Sequence, residues 1–416
     1  MPNPVFLKRV VLKNYKSVAA CSVELGPLTF LVGPNGAGKS NFLDAMRLVN
    51  EAITASLDHA LRDRGGINEV RRRSSGHPTH FGIRLEFQLP GDVEGFYAFR
   101  VGAQHNGGFE VQHEECHIRR SLLEPESYFI VKSGQVADSS LELAPPGSSD
   151  RLYLVAAAGQ AAFRPLYDAL AHMGFYNLNP DEIRKWQPPD PGIVLRRDGS
   201  NLAGVLSLVE RERSSAHTRV VEFLSKVVPG VNSVSVRHAG KNETLEFRQE
   251  VGTNKVPWRF TAENMSDGTL RALGVLTALF QSSNGEPSPV PLVGIEEPEA
   301  AVHPGAAGVL RDGLKAASAS TQVLVTSHSP DLLDDKSVDA EWILGVTNVN
   351  GETKIGPIDE AGRSAIRDRL YTAGELLRQG QLEPDLQKIE RTNPKQLSLF
   401  TKCSRRWSEA CPMSPS

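Results

Sequence analysis

Cysteine is scarce in this chain: four of its 416 residues are cysteines, and none lies at the spacing of a zinc site. This usage is typical of a reducing compartment, so we expect a cytoplasmic protein. Long hydrophobic runs are also lacking. No stretch of about 18 apolar residues exists, and the sequence therefore predicts no membrane span and no membrane partner.

A strong charge imbalance is absent as well, since the formal net charge is −3. No global basic field points to a nucleic acid, and any DNA-binding surface must therefore be local. No heptad pattern persists over several repeats, which argues against long coiled-coil arms. What remains is an ordinary globular composition, with 40% hydrophobic and 23% charged residues, in a chain long enough for about two or three domains.

A glycine-rich turn lies between a predicted strand and a predicted helix near the start of the chain. Its pattern, G-x-x-x-x-G-K-[ST], predicts a phosphate-binding loop, because successive backbone N–H groups form a concave nest for phosphate oxygens. The following helix points its positive dipole end at the same anion. Lys39 would reach the outer phosphates, and the hydroxyl of Ser40 would bind Mg²⁺. The residues assigned to nucleotide binding here are Gly33, Pro34, Asn35, Gly36, Ala37, Gly38, Lys39, Ser40 and Asn41.

Two predicted strand ends in the second half of the chain carry further candidate residues. One apolar strand ends in Glu296 and Glu297. In a phosphate-loop enzyme, a carboxylate at this place holds Mg²⁺, and the next one orients or deprotonates the attacking water. His328 follows a second apolar strand, at the carboxyl end where open α/β sheets bind their ligands.

A short polar run, Ser266-Asp267-Gly268-Thr269, comes directly before a long apolar helix. A serine and a glycine at a helix N-terminus offer a hydroxyl, free N–H groups and a dipole, which together suit an anion. A serine at this place is also a common N-cap that serves only its own helix. The run alone leaves both interpretations open.

In this order the four motifs resemble one family, the ABC-type ATPases of the SMC, RecF and OLD group, in a compact form without coiled-coil arms or a Toprim domain. Gly33–Ser40 resembles the family's Walker A motif and Ser266–Thr269 its signature. Ile295–Glu299 resembles the Walker B motif, and His328 the switch histidine. The resemblance implies an α/β fold, namely a P-loop ABC-type ATPase head with an inserted antiparallel β-lobe and a helical subdomain.

Period-2 alternation after residue 78 and two breaks rich in proline and glycine divide the chain further. We predict a discontinuous nucleotide-binding core (1–75 and 255–345), a β-lobe (78–138), a helical signature subdomain (150–228), a C-terminal extension (346–394) and a flexible or partner-binding tail (395–416).

The resemblance also implies roles for single residues. Glu296 holds Mg²⁺ together with Ser40, although the family usually has an aspartate at the first of these positions. Glu297 is the general base and His328 contacts the γ-phosphate of ATP. The signature residues Ser266, Asp267, Gly268 and Thr269 contact ATP that is bound to a second copy, so that a homodimer encloses an ATP sandwich.

The family also places a glutamine beside Mg²⁺, and no spacing rule identifies it here. Gln135 follows a predicted strand and is our choice as metal ligand. Gln88 is the alternative, but its place within an alternating strand indicates a structural role.

These implications predict an ATPase that hydrolyses ATP to ADP and phosphate. Its ATP-dependent dimerisation would act as a switch on DNA or on a separately encoded effector, a nuclease or a toxin, in phage defence. The alternative is a RecF-like DNA-binding factor of repair or recombination. A transporter-type ATP subunit fits less well, because the inserted β-lobe and the Glu-Glu-Pro-Glu sequence argue against it.

Overall fold

The computed structural model describes residues 5–74, 78–104, 107–120, 124–252, 254–281, 290–391 and 398–401. The strands are β1 (Leu7–Tyr15), β2 (Val18–Glu24), β3 (Leu28–Val32), β4 (His80–Leu89), β5 (Val93–Ala103), β6 (Phe109–Arg119), β7 (Ser127–Lys132), β8 (Gln135–Ser139), β9 (Gly174–Tyr176), β10 (Val231–Ala239), β11 (Asn242–Val251), β12 (Asn254–Thr261), β13 (Leu292–Glu296), β14 (Gln322–Ser327), β15 (Ile343–Val349) and β16 (Glu352–Pro357).

The α-helices follow the same chain order. They are α1 (Lys39–Thr54), α2 (Leu57–Arg62), α3 (Ile67–Val70), α4 (Leu154–Ala157), α5 (Arg164–Ala171), α6 (Pro180–Arg184), α7 (Leu202–Glu212), α8 (Ser214–Val227), α9 (Asp267–Phe280), α10 (Ala307–Ala317), α11 (Pro330–Leu333), α12 (Glu360–Arg367), α13 (Ala373–Arg378) and α14 (Leu386–Arg391). Within the part of the chain that the structure describes, none of the helices combines the length and the apolarity needed to cross a membrane.

A six-stranded sheet in the order β16-β15-β3-β14-β13-β9 forms the centre of the head. All neighbours are parallel except β15 and β16, which form an antiparallel hairpin. Every residue of β3 and β14 is buried, as expected for apolar strands covered on both faces. The carboxyl ends of β3, β13 and β14 meet at one edge, and this edge holds the candidate site.

A second sheet has seven strands in the order β2-β1-β4-β5-β6-β7-β8, and all of its pairings are antiparallel. Its inner face shares one hydrophobic core with α1 and with one side of the central sheet. Alternation in β4 places Phe81, Ile83 and Leu85 on that face, whereas Gly82 and Arg84 lie on the outer face.

The other side of the central sheet packs against α9 in a second core that also includes α7 and α8. Every residue from Thr269 to Phe280 is buried. A helix that is apolar all round must be enclosed by other elements, and α6, α7, α8 and α10 all contact α9. The small sheet β10-β11-β12 lies beside these helices.

The predicted segments differ from the sheets of the structure at three places. The boundary after residue 345 falls inside β15, which pairs with β3 in the central sheet. The helical segment from residue 150 contributes β9 to the same sheet. Strands β1 and β2 belong to the sheet of the β-lobe rather than to the central one. In each case strand pairing joins residues far apart in sequence, which composition and periodicity do not reveal.

Candidate nucleotide site

The phosphate-binding loop connects β3 to α1, and its glycines adopt backbone conformations that other residues rarely take. Gly36 and Gly38 have φ values of 77° and 102°. Gly33 has no room for a side chain, because a Cβ there would lie 1.9 Å from the carbonyl oxygen of Val346 in β15. Nothing lies within 4 Å of a Cβ placed on Gly36. The loop is therefore packed from below and open at its tip, the shape that anion binding requires.

The β15–β16 hairpin and the β1–β2 turn hold this loop from the side. The hydroxyl of Thr353, which is fully buried, donates to the carbonyl oxygen of Ala37 at 2.8 Å. Its oxygen also lies 2.7 Å from the hydroxyl of Ser17. Ser17 in turn accepts from the side-chain amide of Asn41 at 2.6 Å. Three distant parts of the chain thus fix the loop before any ligand binds.

Lys39, the first residue of α1, is 5% exposed. Its ammonium group donates to the carbonyl oxygens of Gly33 at 2.7 Å and Pro34 at 3.0 Å. Burial lowers the pKa of Lys39, and the carboxylates of Glu297 and Glu299 oppose that change. The lysine therefore faces both the loop and the acidic residues that follow β13.

Glu297 and His328 meet at the adjacent ends of β13 and β14. Nδ1 of His328 lies 3.1 Å from Oε1 of Glu297. Glu297 has a φ of 46°, a left-handed conformation that is costly for a residue with a side chain. Its N–H donates to the carbonyl oxygen of Thr326, which anchors the bend. Because strained backbone tends to occur at functional sites, this bend supports a role for Glu297.

Glu299, which follows closely, is also buried at the site. Its Oε1 accepts from the hydroxyl of Ser327 at 2.6 Å, whereas its Oε2 is buried without a partner among the described residues. Burial raises the pKa of Glu299, and the hydrogen bond from Ser327 opposes the shift. A buried carboxylate oxygen usually accepts a hydrogen bond, so this oxygen leaves one acceptor at the site unused.

Two arginines contact the acidic strand end. Arg271 of α9 donates to the carbonyl oxygens of Glu296 and Glu297, both at 3.0 Å. The guanidinium of Arg197 donates to Oε1 of Glu296 at 3.0 Å. The signature helix of the same chain is therefore linked to the backbone of Glu296 and Glu297, whereas the candidate metal carboxylate is paired with Arg197.

The donor set fits Mg²⁺ in kind. Ser40 and Glu296 offer the oxygen ligands that Mg²⁺ prefers, and Mg²⁺ usually keeps several waters rather than a full protein cage. The described residues contain no group of three or more histidine, cysteine, aspartate or glutamate side chains able to hold a metal ion.

The signature run begins α9 at a distance in sequence from these residues. Ser266 is the N-cap: its hydroxyl accepts from the N–H of Thr269 at 3.3 Å. Asp267 is exposed and ion-paired with Arg184. Gly268 packs so closely on the loop after β13 that a Cβ would lie 2.4 Å from the carbonyl oxygen of Ala301. Within one chain, the run serves its own helix.

The structure does not bring Gln135 to the loop. It begins β8, an edge strand, and four strands separate β8 from β1. At about 4.8 Å per strand, the separation is on the order of 20 Å. The assignment of Gln135 as a metal ligand therefore loses its basis, because the hairpin that carries it extends the lobe rather than returning to the central sheet.

Sequence reasoning missed several contacts of the site. Arg197 lies outside the four motifs, and no pattern gave it a partner. Arg271 comes two residues after the signature, in the first turns of the same helix, which is a signal that could have been used. Thr353 has no signal at all, since only the fold brings β16 to the loop.

The fold and the site together define a P-loop ATPase head. Residues 28–334 match the family model described as "AAA domain, putative AbiEii toxin, Type IV TA system", and the chain belongs to this family. More specifically, it is an ATPase of the SMC, RecF and OLD type. The predicted resemblance is confirmed.

Curated relatives support this assignment. The Old nuclease of Escherichia phage P2 is 24% identical over 370 residues, which cover 80% of this chain and 58% of that protein. The OLD nuclease of Thermus scotoductus is 47% identical over 75 residues, 18% of this chain and 14% of its own length. The RecF protein of Vibrio vulnificus is 39% identical over 44 residues, 10% and 12% of the two chains. This chain thus spans less than two thirds of the length of each of them.

Two solved structures share the fold. One is an SMC head bound to the C-terminal winged-helix domain of ScpA, with a TM-score of 0.56 and 16% identity over 86% of this chain and 99% of that one. The other is an Smc head with an extended coiled coil, bound to the C-terminal domain of ScpA, from Pyrococcus furiosus. Its TM-score is 0.56, with 13% identity over 88% and 99%. The predicted fold class, an ABC-type ATPase head, is confirmed.

Proposed function

We propose that this chain binds and hydrolyses ATP, and that two copies dimerise around ATP as a switch on DNA or on a separately encoded effector. One observation supports the proposal most strongly. Glu297 and His328 meet beside the phosphate loop, whereas Ser266 lies exposed with its hydrogen bonds directed to Thr269 of its own helix. The meeting of Glu297 and His328 supports hydrolysis at this site, and the exposure of Ser266 supports contact between the signature and a second copy.

In this proposal the side chains of the site act on ATP in the positions that they have in the structure. The loop N–H groups and Lys39 bind the phosphates. Glu297, held by its bent backbone, accepts the proton of the attacking water, and His328 contacts the γ-phosphate. Ser40 and Glu296 would hold Mg²⁺, which neutralises phosphate charge when it is bound.

A Glu297→Gln substitution tests the switch. The amide keeps the size of the side chain but cannot accept the proton, so we expect hydrolysis to fall by about two to four orders of magnitude. ATP binding should persist, and the dimer should accumulate. Light scattering coupled to size exclusion should then show a mass doubling that depends on ATP and Mg²⁺.

The matched control is Glu210→Gln, which removes an exposed carboxylate of α7. It should hydrolyse ATP at the rate of the unchanged chain. If the Glu297→Gln variant stays a monomer at every ATP concentration, the switch is contradicted even where ATP binds.

A role in phage defence draws support from two names: the phage P2 relative is called an Old nuclease, and the family description mentions a toxin. The chain matches 58% of the phage P2 protein, so the effector of this chain has to be identified by experiment. A stable complex with the product of a neighbouring gene would support the effector.

The RecF-like function is the second candidate, since a RecF relative matches a 44-residue stretch. It predicts that duplex DNA stimulates ATP hydrolysis, and that this stimulation falls steeply with salt because phosphate contacts release counterions. Hydrolysis that does not respond to DNA at low salt would exclude this function.

A further inference from the structure

The outer face of the seven-stranded sheet carries a docked segment from the C-terminal part of the chain. Residues 398–401 lie on this face, and Leu399 is 6% exposed. The sequence predicted a flexible or partner-binding tail from residue 395, and four of its residues contact the sheet of their own chain. Residues 395–397 and 402–416 lie outside the described part. The segment makes hydrogen bonds and a ring stacking contact in addition to its apolar packing.

Leu399 is recognised by both its side chain and its backbone. Its side chain packs over Gly82 of β4. A Cβ at position 82 would lie 2.3 Å from Cδ1 of Leu399, so only glycine leaves room for it. Arg84, on the same face of β4, donates to the carbonyl oxygen of Leu399 at 3.0 Å. The guanidinium of Arg84 is itself held 3.7 Å above the ring of Phe96. A larger residue at position 82 would exclude the leucine.

Phe400 stacks on a histidine of β6. The rings of Phe400 and His113 have centroids 3.8 Å apart and lie within 10° of parallel. The guanidinium of Arg100 lies 5.9 Å from the centre of the phenylalanine ring. Because Arg100 pairs with Gly82 on one side and with His113 on the other, the contacts of Leu399 and Phe400 form one continuous groove across β4, β5 and β6.

Thr401 completes the docking through a buried carboxylate. Its N–H lies 3.3 Å from both oxygens of Glu115, and its hydroxyl donates to the same carboxylate. Glu115 is 1% exposed. Burial tends to raise the pKa of Glu115, but the nearby His113 and the hydrogen bonds from His117 and Thr401 lower it to about 2. The groove therefore presents a buried carboxylate that pairs with His117 and also accepts from the backbone and hydroxyl of Thr401.

We propose that this groove is a peptide-docking site for a Leu-Phe-Thr segment, and that residues 398–401 of the same chain are its reversible occupant. Reversibility follows from the small size of the contact. One buried leucine and one stacked ring must offset the entropy of ordering the segment, so the docked and released forms are close in free energy. A peptide of the same sequence supplied in trans competes for the groove.

A binding experiment on the full chain tests this proposal. The probe is a fluorescein-labelled peptide with the sequence of residues 396–401, and anisotropy reports its binding. The receiver is the full chain with Leu399→Ser and Phe400→Ser, which releases the internal segment. We expect this variant to bind the probe at least about tenfold more tightly than the unchanged chain, in which the groove is already occupied.

Two further measurements separate recognition from loss of fold. Gly82→Val, added to the released variant, should abolish binding of the probe. A probe with Phe400→Ala should bind weakly to the released variant that still has Gly82. Equal binding by the unchanged and released chains, or no binding by either, would overturn the proposal. Undiminished binding of the Phe400→Ala probe would do the same.

Discussion

The two helices that carry the predicted phosphate contacts, α1 and α9, begin in different ways. Gly38 caps α1 in a left-handed conformation and makes no side-chain cap hydrogen bond, since glycine has no side chain. Ser266 caps α9 with its own hydroxyl, and Asp267 places a carboxylate in the first turn. The start of α1 is therefore open to an anion, whereas the start of α9 is satisfied within its own chain.

This difference indicates what each half of the site needs. The loop before α1 is held by Thr353 and Ser17 and has Lys39 beside it, so one chain suffices to bind phosphates. The start of α9 has an exposed serine and no lysine of its own. In the proposed dimer it gains an anion only when a second copy brings ATP. Substitutions at the two helix starts and at the support of the loop test that asymmetry.

Removal of the lysine should have the largest effect on ATP binding. Lys39→Ala takes away a buried cation, and we expect ATP to bind about a hundredfold more weakly, a loss of about 3 kcal/mol. Titration with a fluorescent ATP analogue measures the change. Lys226→Ala, which removes an exposed lysine of α8, is the control. Equal affinity in both variants would contradict the role of Lys39.

A carboxylate in place of the signature serine separates capping from dimerisation. Ser266→Asp keeps a good N-cap, so the unfolding temperature should stay near that of the unchanged chain. The added negative charge repels the γ-phosphate of the second copy, and we expect the ATP-dependent dimer to weaken by at least about tenfold. Sedimentation with ATP measures it. An unchanged dimer would show that α9 does not face ATP.

The support of the loop predicts a smaller effect. Thr353→Val keeps the shape of the side chain but leaves the carbonyl oxygen of Ala37 without its buried donor. A loss of about 1 kcal/mol corresponds to ATP binding about fivefold more weakly. Thr347→Val on β15 is the control, because its side chain is only partly buried. Isothermal titration distinguishes the two, and equal values would remove Thr353 from the site.

The smallest effect concerns stability alone. Ser266→Ala removes the side-chain acceptor from the N–H of Thr269, which should lower the free energy of unfolding by about 1 kcal/mol. Urea denaturation measures this change. A loss several times larger would mean that Ser266 supports more than its helix cap.

Local patterns predicted the parts of the site that one segment contains. The glycines and the lysine of the loop, the two glutamates after β13 and the histidine after β14 are each readable from about ten residues. The structure brings Lys39, Glu297 and His328 to one edge because parallel strands end together. The choice of Gln135 failed because it required the path of the lobe relative to that edge.

Contacts between distant segments could not be predicted in this way. Thr353 reaches the loop across 316 positions of sequence, and Arg197 reaches Glu296 across 99. Thr401 bonds to Glu115 over 286 positions. None of these pairs has a periodic signal, since each depends on strand order and on the space left by a glycine or a turn.

A mixture of two impaired variants tests whether two copies share one ATP site. A Lys39→Ala chain lacks the loop cation, and a Ser266→Asp chain lacks the signature serine. In a mixed dimer, one of the two shared sites combines the intact loop of the second chain with the intact signature of the first. We predict that the mixture hydrolyses ATP at up to about a quarter of the unchanged rate, as random pairing and one site in two imply. No hydrolysis above that of the separate variants would contradict a site shared between two copies.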